Sequence, residues 1–164
     1  MFETILAFSL GILFVAGVAL YFTVGREKLN QQAVIQGLLL LRINIERVYR
    51  SEIFDGLSNE TLLSGNLVPE GLMKGGNIMS SWGDIVVLPE VTGFEAGKYS
   101  ITLYGLPRSV CMALVSNIDS WDSVYAGNES TKVFERRAPG EISRADRFAA
   151  CQYEAGNVVK FVGP

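Results

Sequence analysis

The stretch MFETILAFSLGILFVAGVALYFTVG, residues 1–25, holds a single charged side chain, Glu3, at the head of an otherwise apolar run. From Thr4 to Val24 there are 21 residues with neither charge nor proline. At about 1.5 Å of rise per residue, a helix of that length covers about 32 Å, the hydrocarbon thickness of a bilayer. The segment is long enough to span a membrane. A cleaved signal peptide is the plainer reading of an apolar N-terminus, but it places a basic cluster before a shorter core and small residues at a cleavage site. Here no cation precedes Arg26, and Gly25-Arg26-Glu27-Lys28 follows the run as a polar boundary. A retained membrane helix fits better.

The apolar run is followed by a segment of different character. Leu29 to Glu52 contains no proline, and Val34, Leu38, Leu41, Ile45 and Val48 recur at helical spacing, with Gln32, Gln36, Arg42, Glu46, Arg47 and Arg50 on the opposite side. One long N-terminal helix is expected, apolar all round over residues 1–25 and amphipathic over 26–52. The Leu38–Leu41 run reads as core.

The remainder of the 164 residues is enough for one small domain. With 14 basic and 17 acidic side chains, the net charge of −3 provides no basic face for nucleic acid. Histidine is absent, which excludes Ser-His-Asp and Cys-His catalysis and removes the commonest transition-metal ligand. No phosphate-binding glycine motif and no CxxC is present, so neither an enzyme nor a cofactor is expected. The two cysteines, Cys111 and Cys151, stand either as buried free thiols or as a bridge. A bridge needs an oxidising compartment, and a membrane anchor with its domain outside the cytoplasm would supply one. The bridge is favoured.

Beyond Glu52, Asp-Gly, Ser-Gly and Gly-Gly pairs mark a long connection with short helices, one capped by Ser58 and another opened by Pro69. Strands are expected at Asp84–Leu88, Tyr99–Tyr104, Thr131–Glu135 and Asn157–Val162. Pro107 opens a helix carrying Val110, Cys111, Leu114, Val115 and Ile118 on one face. Trp121–Gly127 reads as connection, and Ser143 caps a short helix ending near Cys151. The fold class is α+β, a long N-terminal helix packed on an antiparallel sheet. Tyr49-Arg50, Trp121 and Tyr125 offer an aromatic recognition patch, although single exposed aromatics are ordinary.

In this layout the sequence resembles the type IV pilins, and more closely the type IVb subclass that includes thin-pilus pilins of conjugative plasmids. The resemblance is carried by the glutamate-headed apolar helix, Leu67-Val-Pro69, Trp82-Gly83, Tyr99-Ser-Ile-Thr-Leu-Tyr-Gly-Leu-Pro107 running into the helix of Cys111, and Cys151 followed by Asn157-Val-Val-Lys-Phe161. Pilin precursors carry a basic leader, so this chain looks like a mature form. The family's glutamate usually lies two residues further from the mature N-terminus, and Glu3 is its match here.

The resemblance implies a major pilin that polymerises into an extracellular pilus used for surface or cell attachment, or in conjugation. It further implies residence in the bacterial inner membrane before assembly, with an assembly ATPase, platform proteins and a target-cell or surface receptor as partners. Assembly falls to Met1, Phe2 and Glu3, the carboxylate pairing with the N-terminal amine of a neighbouring subunit. The plainer alternative is a solvated charge in the headgroup layer suited to the helix dipole. Gly11 and Gly17 are where the helix would loosen in the fibre, since each costs about 1 kcal/mol relative to alanine. A minor pilin, a secretion pseudopilin and a monomeric anchored binding module are the competing readings.

Overall fold

The computed structural model describes residues 25–26, 28–49, 54–90, 97–118, 120–127, 131–135 and 143–163. The chain divides into Met1–Ala33 and Val34–Pro164. In the first unit the described residues, 25–26 and 28–33, are helical.

The second unit opens with helix α1, residues 34–48. Val34, Leu38, Leu41 and Ile45 are buried, as the helical spacing requires, but Val48 is 51% exposed. Leu39 and Leu40 are also exposed, so only the outer two residues of the leucine run belong to the core. Gly37 is buried on the same side, where a Cβ would stand 2.7 Å from Leu72 Cγ. The missing side chain lets the following loop lie directly on the helix.

That loop holds α2 (Asn59–Ser64), a 3-10 turn (Glu70–Leu72) and a small hairpin of β1 (Met73–Lys74) and β2 (Asn77–Ile78). Ser58 caps α2 in a capping box with Thr61. The turn opened by Pro69 ends at Leu72 because Met73 already pairs with Ile78 across the two glycines of the hairpin.

The main sheet contains β3 (Ile85–Glu90), β4 (Lys98–Leu106), β5 (Ser123–Gly127), β6 (Thr131–Glu135) and β7 (Asn157–Val162). Its order is β3-β4-β7-β5-β6, antiparallel throughout, so the last strand of the chain occupies the centre. Helices α3 (Arg108–Leu114) and α4 (Arg144–Ala150) follow β4 and β6, and Ser143 caps α4 by accepting from the Asp146 N–H.

Strand β5 corrects the reading of Trp121–Gly127 as connection. Asp122, Ser123 and Gly127 are turn-forming types, yet the strand is paired on both sides, with β7 and β6, and buries Val124 and Ala126 fully. Cross-strand pairing and burial override the weak local preference of a five-residue segment.

One face of the sheet carries Val87, Ile101, Leu103, Val124, Val159 and Phe161, which join the buried stripe of α1 and Val110, Cys111 and Leu114 of α3 in a single core. Trp82-Gly83 and Gly105 have a shared cause. Gly105 adopts φ 74°, and a Cβ there would stand 2.7 Å from Trp82 O, while a Cβ on Gly83 would overlap Tyr104 O. The loop crosses β4 backbone to backbone, which only glycine allows.

Candidate functional site

For a chain without catalytic or metal-binding motifs, the functional candidates are surfaces and the devices that hold them. Among the described residues no group of three or more His, Cys, Asp or Glu is placed to hold a metal.

The seam between α1 and the sheet contains a polar device inside its apolar contacts. Arg42 Nε donates to Glu46 Oε1 at 2.6 Å, one helical turn apart, and the Tyr99 hydroxyl of β4 donates to the same oxygen at 3.2 Å. Arg42 also lies 5.2 Å from the centroid of Trp121, which packs on Phe161. Tyr99 is fully buried against Phe54, with ring centroids 4.8 Å apart. Burial, with the Glu46 carboxylate adding to it and Arg42 partly offsetting it, holds the Tyr99 phenol well above its usual pKa. The hydroxyl donates to Glu46, and the raised pKa extends its protonated form to higher pH than an exposed phenol would hold it. Trp121 is buried and Tyr125 half-buried, so the proposed aromatic patch does not form; Arg50 lies outside the described residues.

On its other side α1 is left uncovered. Among the described residues eight large hydrophobic side chains are exposed; Leu39, Leu40, Ile43 and Val48 lie on α1, and Leu29 on the helical residues preceding it in the chain. Leu40 and Ile43, 52% and 51% exposed, are three residues apart and share a helical face. Beside them a groove of ≈ 150 Å³ opens between Ile35 and Leu39 of α1 and Leu114, Trp121 and Phe161, with Ser116, Asn117 and Ser120 also in its lining. Exposed apolar residues clustered in this way mark a contact surface.

The C-terminal region is built around the disulfide. Cys111 and Cys151 are bonded, with Cα atoms 5.8 Å apart, and both are fully buried. Gln152 to Gly156 are exposed, and Tyr153 is 53% exposed at their centre. Asn157 closes this loop from the other end. Its amide nitrogen donates to Leu106 O at 3.1 Å and to Tyr153 O at 2.5 Å, and its oxygen accepts from the Tyr153 N–H at 3.1 Å. The Arg108 N–H donates to Glu154 O at 3.1 Å, tying the loop to the start of α3. An exposed segment is thus tied at both ends.

The face of the sheet opposite the core carries a row of charges, each neutralised locally. Lys160 pairs with Glu90 at 2.6 Å and Lys132 with Glu135 at 3.3 Å, with Tyr125 between the two ammonium groups at 5.9 and 5.3 Å. This row is a structural ladder with no net charge for a ligand.

Of the residues singled out by sequence, the structure brings Cys111 and Cys151 together. Met1, Phe2, Glu3, Gly11 and Gly17 lie outside the described residues, as does the run from Thr4 to Val24. Among the described residues no helix is long and apolar enough to cross a membrane. The exposed leucines of α1, the Arg42–Glu46–Tyr99 device and the Asn157 clamp were not foreseen. An uncharged asparagine directly after a glycine and before an apolar strand was the available signal for the last.

The family model described as PilS N terminal matches residues 30–163. No curated protein sequence matches the chain. Among solved structures, TcpA, a type IV pilin from Vibrio cholerae El Tor biotype, is similar with a TM-score of 0.60 and 16% identity, over 82% of this chain and 99% of that one. The type IVb pilin from Salmonella typhi is similar with a TM-score of 0.54 and 18% identity, over 84% of this chain and 97% of that one. The family model over residues 30–163 shows that the chain belongs to the PilS family, and the two solved structures show that it has the fold of type IV pilins.

Proposed function

We propose that the chain is a major pilin, a structural subunit that polymerises through its N-terminal helix into an extracellular type IV pilus serving attachment or conjugation. The observation that carries this reading is the apolar side of α1. A monomeric soluble domain rarely leaves Leu39, Leu40 and Ile43 uncovered on one helix whose other side is already packed. Polymerisation covers such a surface with further copies, and it needs no catalytic residue or cofactor.

In this reading residues 1–25 are the half of the helix that lies in the inner membrane before assembly and in the filament core afterwards, and residues 26–164 form the head. Glu3 is the one charge in that apolar half. A buried carboxylate requires a partner, and the N-terminal amine of the next subunit supplies it, with Met1 and Phe2 at the junction. A single stagger pairs the charges, which sets the axial register. Gly11 and Gly17 mark where the helix loosens. The assembly ATPase, the membrane platform and a receptor on the target surface complete the partner set.

The test is to shear filaments from cells that express the chain, image them by electron microscopy and identify their main protein by mass spectrometry. A major pilin dominates the fibre mass. A minor pilin or pseudopilin is scarce in it, and an anchored monomer gives no fibre.

A further inference from the structure

Strand β3 forms an edge of the five-stranded sheet. An edge strand points the N–H and C=O groups of alternate residues at solvent, where they can template pairing with another chain. The Tyr104 N–H donates to Asp84 O and the Gly97 N–H to Glu90 O, so the even-numbered residues face β4. Alternation then turns Ile85, Val87 and Pro89 toward the free edge.

Two of those outward groups, the Ile85 C=O and the Val87 N–H, are occupied. The Asn59 side chain of α2 donates from Nδ2 to Ile85 O at 2.7 Å and accepts at Oδ1 from the Val87 N–H at 2.8 Å. One amide thereby makes the two bonds that a residue of an added strand would make. Pro89 has no N–H to offer. On the far edge, β6 has five residues, carries Lys132 and Glu135, and shows a register irregularity against β5. Short, charged and irregular strands are poor templates.

We propose that Asn59 is an edge seal: it holds the place of an added strand on β3 and so prevents head domains from pairing strand to strand with a second copy. The inference rests on the self-assembly reading only for its purpose. Copies held side by side in a fibre meet at high local concentration, where an open edge would compete with helix packing.

The test uses the full chain in detergent, which keeps filament formation out of the readout. Three variants are compared with the wild type by light scattering and by the intermolecular β-sheet infrared band. Asn59→Ala should form β-paired oligomers at about tenfold lower concentration, the factor that corresponds to roughly 1.4 kcal/mol. Ser58→Ala removes the cap of α2 but keeps the seal, and should behave as the wild type does. Leu88 is 51% exposed on the edge strand, so adding Leu88→Lys to Asn59→Ala should restore the wild-type threshold by charging the edge. An unchanged threshold in Asn59→Ala, equal association in Ser58→Ala, or no rescue by Leu88→Lys would each overturn the proposal. Absence of filaments in cells would instead refute the pilin reading and leave this result standing.

Discussion

The seam between α1 and the sheet and the loop from Cys151 to Asn157 belong to one domain but are held by opposite means. The seam rests on area: Val34, Leu38, Leu41 and Ile45 against the inner face of the sheet, with one shared carboxylate oxygen fixing the register. The loop has no core, since Gln152 to Gly156 are all exposed, and it depends on a covalent bond at one end and a fully buried asparagine at the other. Exposure therefore does not imply freedom. A surface that must meet a partner can be ordered from its ends while its middle stays accessible, and the cost of conformational entropy is met before binding.

The contrast can be broken most forcefully at the disulfide. Cys111→Ser or Cys151→Ser should remove about 2–5 kcal/mol, measured by denaturant unfolding. Protease cleavage should appear first between Cys151 and Asn157. First cleavage within the helix–sheet seam would show that the loop carries its own order.

Leu41→Ala probes the other region. Deleting a fully buried leucine should remove about 2–5 kcal/mol as well, but with a single cooperative transition and no preferential cleavage of the C-terminal loop. Asn157→Ala comes next. It leaves Leu106 O and the Tyr153 backbone without their partner and should cost about 1–3 kcal/mol. Faster amide exchange should be confined to the loop and the adjoining part of β4.

The smallest effect is expected at Tyr99→Phe, about 0.5–1.5 kcal/mol for one hydrogen bond. It also has a pH signature. The folded-state pKa of Tyr99 is raised above the unfolded value of about 10. Below that pH both states hold the proton and the contribution is fully present. Above it the unfolded chain alone releases the proton, so stability falls as pH rises. Wild type should lose stability more steeply than Tyr99→Phe above about pH 10, as thermal melts will record.

Much of this architecture was legible in the chain because its signals are local. The spacing of Val34, Leu38, Leu41 and Ile45 placed the buried stripe, the alternation at Tyr99–Tyr104 placed β4, and Ser58, Pro107 and Ser143 marked helix starts. Strand β5 was missed because its stability comes from pairing on both sides, and one of those neighbours, β7, is distant in sequence. Val48, Leu39 and Leu40 were assigned to the core because hydrophobicity records which residues avoid water and not which partner covers them. The cysteine pair was legible from composition and the expected compartment. Asn59 and Asn157 were not, since an asparagine whose amide replaces backbone partners looks in sequence like any turn residue.

The account turns on whether Glu3 drives assembly independently of the head. On the proposed pairing, Glu3→Ala would leave a neighbour's terminal amine buried and unpaired in the apolar bundle, and breaking such a pair costs about 3–5 kcal/mol. Glu3→Gln keeps the shape and loses the charge. For both variants, membrane abundance and the Cys111–Cys151 bridge are measured by non-reducing blot, and sheared filaments are counted by electron microscopy. The account predicts normal abundance, an intact bridge and almost no filaments in either variant. Wild-type filament numbers in both would contradict it and leave Glu3 as a solvated charge in the headgroup layer.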